Sequence, residues 1–345
     1  MRRMKTEERG VTAVIVAICA TVLFGVGALV IDEGAARQER RELQNGADAG
    51  ALALAQDCAK GACTGLDAKA VTYAGLNAVD GASRATANTI SGNGVQVIAR
   101  TQDAGANTDG NDHTVDFYLA PVLGGPRGAE VSATATARWG APSGGTTLPL
   151  TFSLCEWNEF AHDDGTFDTT PKTIYFHDST WAPGPAGNPP PCSKHPGHDA
   201  DIDSNLNGGF GWLDTAGGVC SVTVTAGHWV GAKTGVSKPH DCDLTSLQDK
   251  DLVIPVFDKV VDKNDPDWKT YGSSGPCPPD DRCYHVFAFA TFHLTGYLFP
   301  GNTWNAPCSP PKTCIRGVFK AFTIGWDGGS TGGVDLGTNE VFLTD

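Results

Sequence analysis

The chain has 345 residues and a formal charge of -14, with 40% apolar and 8% aromatic residues. That acidic balance repels nucleic acid and anionic surfaces, which argues against a polyanion-binding role. The apolar content suffices for a core, and 43 Gly with 21 Pro favour turns and short strands over long helices.

The first element is an apolar run. Val11 to Ile31 is 21 residues without a charge, enough for one helical crossing of a ~30 Å hydrocarbon core. Arg2, Arg3, Lys5 and Arg9 precede it, and Asp32 and Glu33 follow at once. This asymmetry places the N-terminus inside and the bulk of the chain outside, as a single-pass protein of the cell membrane. A cleaved signal peptide would carry an apolar region of only about 7–15 residues ending at a small-residue site. Here apolar residues continue through "GVGALVI", so a retained helix is the expectation and cleavage after Ala28 the rival. A lipoprotein site at Cys19 is disfavoured by the bulky Ile18 before it.

Helical patterning continues past the run. "RQERRELQNGADAGALALAQ" lacks Pro and sets Leu43, Ala47, Ala51 and Leu54 (or Ala55) on one stripe. Gly46, Ala47, Ala49, Gly50, Ala51 and Ala53 leave that face nearly bare, suited to close approach by another helix or sheet. A plain stalk that spaces an ectodomain from the membrane is the simpler alternative.

These residues carry a resemblance. From Glu8 to Ala55 the chain resembles the N-terminal segment of TadE/TadG-like proteins of Tad (tight adherence, Flp-pilus) systems. The shared pattern is a basic leader, Arg9-Gly10, an apolar helix, an acidic residue at its outer end, and a "LQNaADAaALA" block. Here that block runs Leu43, Gln44, Asn45, Gly46, Ala47, Asp48, Ala49, Gly50, Ala51, Leu52, Ala53. The resemblance implies a membrane-anchored, pseudopilin-like component of a pilus-assembly or adherence apparatus, with other pilus-assembly or pilin-like proteins as partners. In one respect the chain departs from processed members. Were Gly10 the residue before a prepilin-peptidase cut, the fifth residue after it would be Ile15, where processed pilins have Glu. A retained anchor, as in the TadG-like branch, is therefore expected rather than a polymerising subunit.

Beyond the stalk, "LDAKAVTYAGLNAVDG" (66–81) has helical spacing. "GVQVIAR" (94–100), "HTVDFYLAP" (113–121) and "EVSATATARWG" (130–140) alternate like strands. A long helix followed by a few strands is the order of a pilin-like α+β unit. Composition shifts near "GAPSGGTTLP" (140–149), where a boundary is expected. The expected organisation is a leader (1–10), a transmembrane helix (11–31), a pilin-like α+β region (32–140) and a β-rich, disulfide-braced extracytoplasmic domain (141–345). In that last domain, strands are expected at "LTFSLCEW", "KTIYFHDS", "CSVTVTAGHWVG", "LVIPVFDKVV", "CYHVFAFATFHLTGYLF" and "CIRGVFKAFTIGW", in a sandwich or barrel-like arrangement. Residues 284–299, apolar at nearly every position, should form a central, doubly covered strand.

Of eleven cysteines, Cys19 lies in the apolar run. Cys58, Cys63, Cys155, Cys192, Cys220, Cys242, Cys277, Cys283, Cys308 and Cys314 are spread over loops without a C-x-x-C pair. This reads as disulfides formed outside the cytoplasm. "CPPDDRC" (277–283) and "CSPPKTC" (308–314) each form a small Pro-containing loop before an aromatic strand. Local pairing within each, and of Cys58 with Cys63, leaves Cys220 with Cys242 and Cys155 with Cys192.

Chemistry is sparse. "GGSTG" (328–332) matches G-x-S-x-G, but the last His is upstream, at His293, so no triad follows it. No P-loop, H-E-x-x-H, dinucleotide fingerprint or D-x-S-x-S motif occurs. In "HPGHDADIDSNLNGG" (195–209), Asp199, Asp201, Asp203 and Asn205 alternate, so their oxygens could converge on Ca²⁺. Counted from Asp201, however, the sixth and twelfth positions of an EF-type loop are Leu206 and Trp212, which makes a solvated turn the simpler expectation. His195 and His198 form only a lone H-x-x-H. No other cofactor is implied. The expected role is structural rather than enzymatic, and a surface adhesin whose β domain binds sugar or protein is the alternative.

Overall fold

The computed structural model describes residues 8–102, 114–162, 164–176, 209–233, 235, 237–261, 282–324 and 330–344. The fold is α+β: a long N-terminal apolar helix followed by a mainly β region with disulfides. Two compact units are present, 1–138 with 342–345, and 139–341.

In the first unit, α1 (Glu8–Ala59) is a single helix of 52 residues. No Pro interrupts it, and Ala and Leu dominate its C-terminal half, which outweighs the cost of Gly46 and Gly50. It stops at Gly61, whose φ of 79° takes the left-handed conformation that closes a helix. The Ala62 N–H returns to the Asp57 carbonyl, and a Cys58–Cys63 disulfide closes the same turn. α2 (Leu66–Asn77) then packs against α1. β1 (Ser83–Ile90) and β2 (Gly94–Thr101) form an antiparallel hairpin. A short ribbon of β3 (Val115–Asp116) and β4 (Gly128–Ala129) encloses a 3-10 turn, Ala120–Leu123. β5 (Ser132–Gly140) pairs with β2.

The inward positions of this sheet are Ala85, Ala87, Val95, Val97, Ala99, Ala133, Ala135 and Ala137, all buried. Facing them, α1 and α2 bury Ala47, Ala51, Ala55, Ala70 and Ala74. Small residues on both sides let helix and sheet backbones approach closely. Contact comes from proximity rather than from large side chains.

The second unit is built from β6 (Pro142–Thr147), β7 (Leu150–Ser153), α3 (Leu154–Asn158), β8 (Lys172–Tyr175), β9 (Phe210–Trp212), β10 (Val222–Thr225) and β11 (Trp229–Gly231). It continues with β12 (Asp251–Val261), β13 (Cys283–Phe299), β14 (Asn302–Trp304), β15 (Cys314–Lys320), β16 (Phe322–Ile324), β17 (Ser330–Thr331) and the start of β18 (Thr338–Thr344). The main sheet has the order β8-β15-β13-β12-β7-β9, with β11 and β14 also on β13, and a smaller sheet has the order β10-β6-β17. β13, at 17 residues, is central, with β12 along one edge and β15 along the other. An aromatic cluster fills the core: Phe292 lies 4.7 Å from Phe152 and 5.0 Å from Phe319, ring centre to ring centre. Buried hydroxyls are paired, Thr151 donating to the Pro255 carbonyl at 2.8 Å and Thr291 bonding Thr338 at 2.8 Å.

β18 takes part in both units. Its residues 338–340 run parallel to β16. Its end, 342–344, belongs to the first unit, where Thr344 donates to the Thr136 carbonyl of β5.

One expectation changes. Of the described residues 114–121 only Val115–Asp116 is strand; the N–H groups of residues 118–120 go to Asp32 instead of a ladder, and the chain turns into the 3-10 helix. The stretch 140–149 contains β6, bonded on both sides. The second unit's main sheet is mixed, because β7 runs parallel to β12.

Candidate functional site: the N-terminal helix and its seat

Along the run from Val11 to Ile31, Val14, Ile15, Ile18, Leu23, Phe24 and Leu29 of α1 are all more than half exposed. An unpaired apolar surface of this length is stable only when lipid or another apolar phase covers it. The helix is long and apolar enough to cross a membrane near the N-terminus.

Burial begins abruptly at the first charged residue. Asp32 is 5% exposed although it directly follows Ile31, which is 55% exposed. Its carboxylate accepts the backbone N–H groups of Tyr118 at 2.9 Å, Leu119 at 3.2 Å and Ala120 at 2.6 Å. Burial alone would raise its pKa, but these bonds outweigh burial and hold the carboxyl below the ordinary carboxylate value. On the exposed side of the next turn, Glu33 pairs with Arg37 and Gln38 donates to Glu42. These are surface i,i+4 contacts worth a few tenths of a kcal/mol, ~0.3–0.5 each.

The stripe then seats on the first unit. Leu43, Ala47, Ala51, Leu54 and Ala55 are buried. Gly46 faces the α2 backbone, and a Cβ there would lie 2.9 Å from the Ala74 Cα. A Cβ on Gly50 would meet only ordinary contacts, 3.6 Å from a Val97 methyl. Asp48 is half-buried and accepts from Gln44 Nε2 at 2.8 Å, and the same amide reaches the Thr134 carbonyl of β5 at 3.4 Å. Glu42 accepts the Val79 N–H at 2.9 Å, which ties the end of α2 back to α1. Glu39 lies close to Glu42 and Asp80. Partial burial, then these like charges, push its carboxyl above the usual value. The bare face recognised in the sequence is thus covered by α2 and the sheet of the same chain. Gly10 and Ile15 lie on the exposed N-terminal part of α1. The Asp32 seat had no sequence signal beyond an acid at the end of the apolar run.

Disulfides join Cys58 to Cys63, Cys220 to Cys242 and Cys308 to Cys314. Cys155 and Cys283 are also disulfide-bonded. Cys19 carries a free, exposed thiol on the apolar helix. Cys192 and Cys277 lie outside the described residues, as do Asp199, Asp201, Asp203, Asn205, His195 and His198. Among the described residues no group of three or more His, Cys, Asp or Glu side chains could hold a metal ion.

Other polar clusters belong to the second unit. Ser330 of "GGSTG" sits in β17 and meets the Ser143 hydroxyl at 2.9 Å. Gly332 and Gly333 then donate to the Ala141 carbonyl rather than opening a helix, which is not the geometry of a nucleophile elbow. His285 Nδ1 meets the buried Asp258 carboxylate at 2.5 Å. Asp251 joins His293 and Lys320. Glu156 accepts the Gly209 N–H at 2.6 Å. Its burial, then repulsion from Glu159, push its pKa up to about 7.

An apolar helix long enough to cross a membrane is thus rooted at its C-terminal end in an α+β unit. The sequence model of the Flp pilus-assembly TadE/G-like (Tad) family matches residues 10–57, which is α1 almost end to end. That family comprises structural pilus components. The matched segment and the apolar helix are the same element, so the similarity to that family is confined to α1. No characterised protein and no solved structure matches the chain.

Proposed function

We propose that the protein is a single-pass, structural component of a Tad/Flp-type pilus-assembly or adherence system. Its N-terminus lies inside, residues 11–31 cross the membrane, and both folded units lie outside. One observation carries most of the reading: a single helix is uncovered over its membrane-length apolar half and buried over its Ala-rich half. Mechanically, such a helix couples the membrane to the first unit without a hinge. The basic residues before the span and acidic residues after it support the orientation. The disulfides support an oxidising compartment. Ile15, standing where processed pilins have Glu, supports a retained anchor over a filament subunit. The role is scaffolding rather than catalysis, with other pilus-assembly or pilin-like proteins as partners.

The alternative is a binding module whose β domain recognises sugar or protein through exposed Trp and Tyr. Among the described residues of the second unit, Trp157, Trp212, Tyr284 and Tyr297 are buried in its core, while Tyr175, Trp229 and Trp304 are half-buried. Chemical crosslinking in cells, recovery of the full chain from membranes and mass spectrometry of the adducts test the proposal. Pilin or assembly-platform subunits are the expected adducts. Recovery of external ligands alone would overturn it.

A further inference from the structure

The 3-10 turn seated on Asp32 is unusual for an exposed loop. From Phe117 to Pro126 the sequence is "FYLAPVLGGP", without a charge. Tyr118 is 75% exposed and Val122 78% exposed, so two large side chains project from one short turn. The turn and β3 pack against α1. Their level along the helix is fixed by Asp32, the first residue beyond the apolar run.

Most backbone N–H groups of the turn are also satisfied within the chain. Asp32 takes the N–H groups of Tyr118, Leu119 and Ala120. Phe117 donates to the Arg127 carbonyl, Val122 to Leu119, Gly124 to Pro121 and Gly125 to Ala120. Pro121 has no N–H to satisfy. Irregular backbone is normally kept out of a water-poor zone by its unpaired polar groups, and here that cost is largely removed.

We infer that the turn 118–124 is a membrane-contact element: Tyr118 and Val122 rest in the interfacial layer of the leaflet that α1 leaves at Ile31. The inference rests on the reading of 11–31 as a transmembrane span. Continuity identifies the occupant, because the exposed apolar surface of α1 ends at Ile31 and that of the turn starts beside Asp32. Tyr suits the boundary, with an apolar ring and a hydroxyl that stays wet. Arg127, which closes the uncharged stretch, is exposed and within reach of phosphate head groups. The protein would thus hold its bilayer at two points, a span and a turn. That fixes the rotation of the first unit about the helix axis, which a lone span leaves free.

The test uses the full chain in vesicles of phosphatidylethanolamine and phosphatidylglycerol. The photo-crosslinker p-benzoylphenylalanine is placed singly at Val122, Tyr118, Leu23 or Val79, and lipid adducts are counted by mass spectrometry. Leu23 reports the span. Val79 is 85% exposed but joined to Glu42, about 15 Å further along α1. Leu23 should be labelled, and either Val122 or Tyr118 should exceed Val79 by about tenfold. The Tyr118 arm exchanges one aromatic side chain for another and so guards against misfolding at Val122. Lipid adducts at Leu23, with Val122 and Tyr118 both at the Val79 level or crosslinked only to a second copy of the chain, would overturn the inference and leave the span intact. An unlabelled Leu23 would overturn both.

Discussion

Gly46 of α1 lies so close to Ala74 of α2 that a methyl group added to it would sit 2.9 Å from the Ala74 Cα, inside any normal contact. The obstacle is backbone, which cannot rotate away as a side chain can. The two helices are therefore joined at a point where only glycine fits, and the small residues of the stripe serve to reach it.

Gly46→Ala should consequently destabilise the first unit, although Ala is the better helix former. Overpacking costs about 1–3 kcal/mol, against a propensity gain of about 1 kcal/mol. A net loss of up to about 2 kcal/mol is expected. Gly50→Ala, whose new Cβ meets only ordinary contacts, should be neutral or stabilising by up to about 1 kcal/mol. Denaturant unfolding of the detergent-solubilised full chain measures both, and equal effects would refute the assignment of close approach to Gly46.

Asp32→Asn replaces a carboxylate by an amide whose NH2 must face backbone donors. Amide exchange at residues 118–120 should quicken in the variant. Because hydrogen bonds to the charged form lower the wild-type pKa below the ordinary value of 3.8, the ionised group stabilises the seat. That contribution is complete above the ordinary value and is lost as pH falls through the lowered one. Exchange in the Asn variant should lack this acid-side dependence.

Glu156 has the opposite sign. Its folded-state pKa is pushed from 4.5 up to about 7, so the unfolded chain ionises first. The contribution of this group to stability is then fully present below 4.5 and declines as pH rises towards 7, by a total on the order of 3 kcal/mol. Glu156→Gln keeps an oxygen for the Gly209 N–H and carries no charge. Its melting temperature should exceed that of the wild type at about pH 8 and change less across this window. An unchanged slope would show that Glu156 is not the titrating group.

Replacing Cys58 and Cys63 by Ser opens the turn that ends α1. Loop closure over so short a segment contributes about 2 kcal/mol. Unfolding should shift by about that amount, and exchange should rise first in the last turn of α1. Protection at residues 56–60 identical to that of the wild type would contradict a role in pinning the helix end.

The parts of the fold legible in the sequence are those with a strong period. Leu43, Ala47, Ala51 and Leu54 mark a helical face, and residues 283–299 mark a strand buried on both sides. β1 escaped notice because its buried positions are Ser83, Ala85 and Ala87, too small to alternate visibly with polar neighbours. β6, "PSGGTT", has linker composition and is a strand only because β10 and β17 bond to it. β18 buries Glu340 within an otherwise mixed segment, which no hydropathy pattern signals. At the site, the stripe was visible in the sequence but its occupant was not. The Asp32 seat joins residues 86–88 positions apart in the chain. That depends wholly on tertiary structure.

The central claim is that residues 11–31 hold the protein in the membrane with both units outside. Alkaline carbonate washing of membranes from the native cell, with external protease added to a parallel sample of spheroplasts, tests it most directly. The full chain should remain in the washed pellet, and added protease should destroy both folded units. Release into the wash, or units that survive the protease until the membrane is breached, would contradict the account.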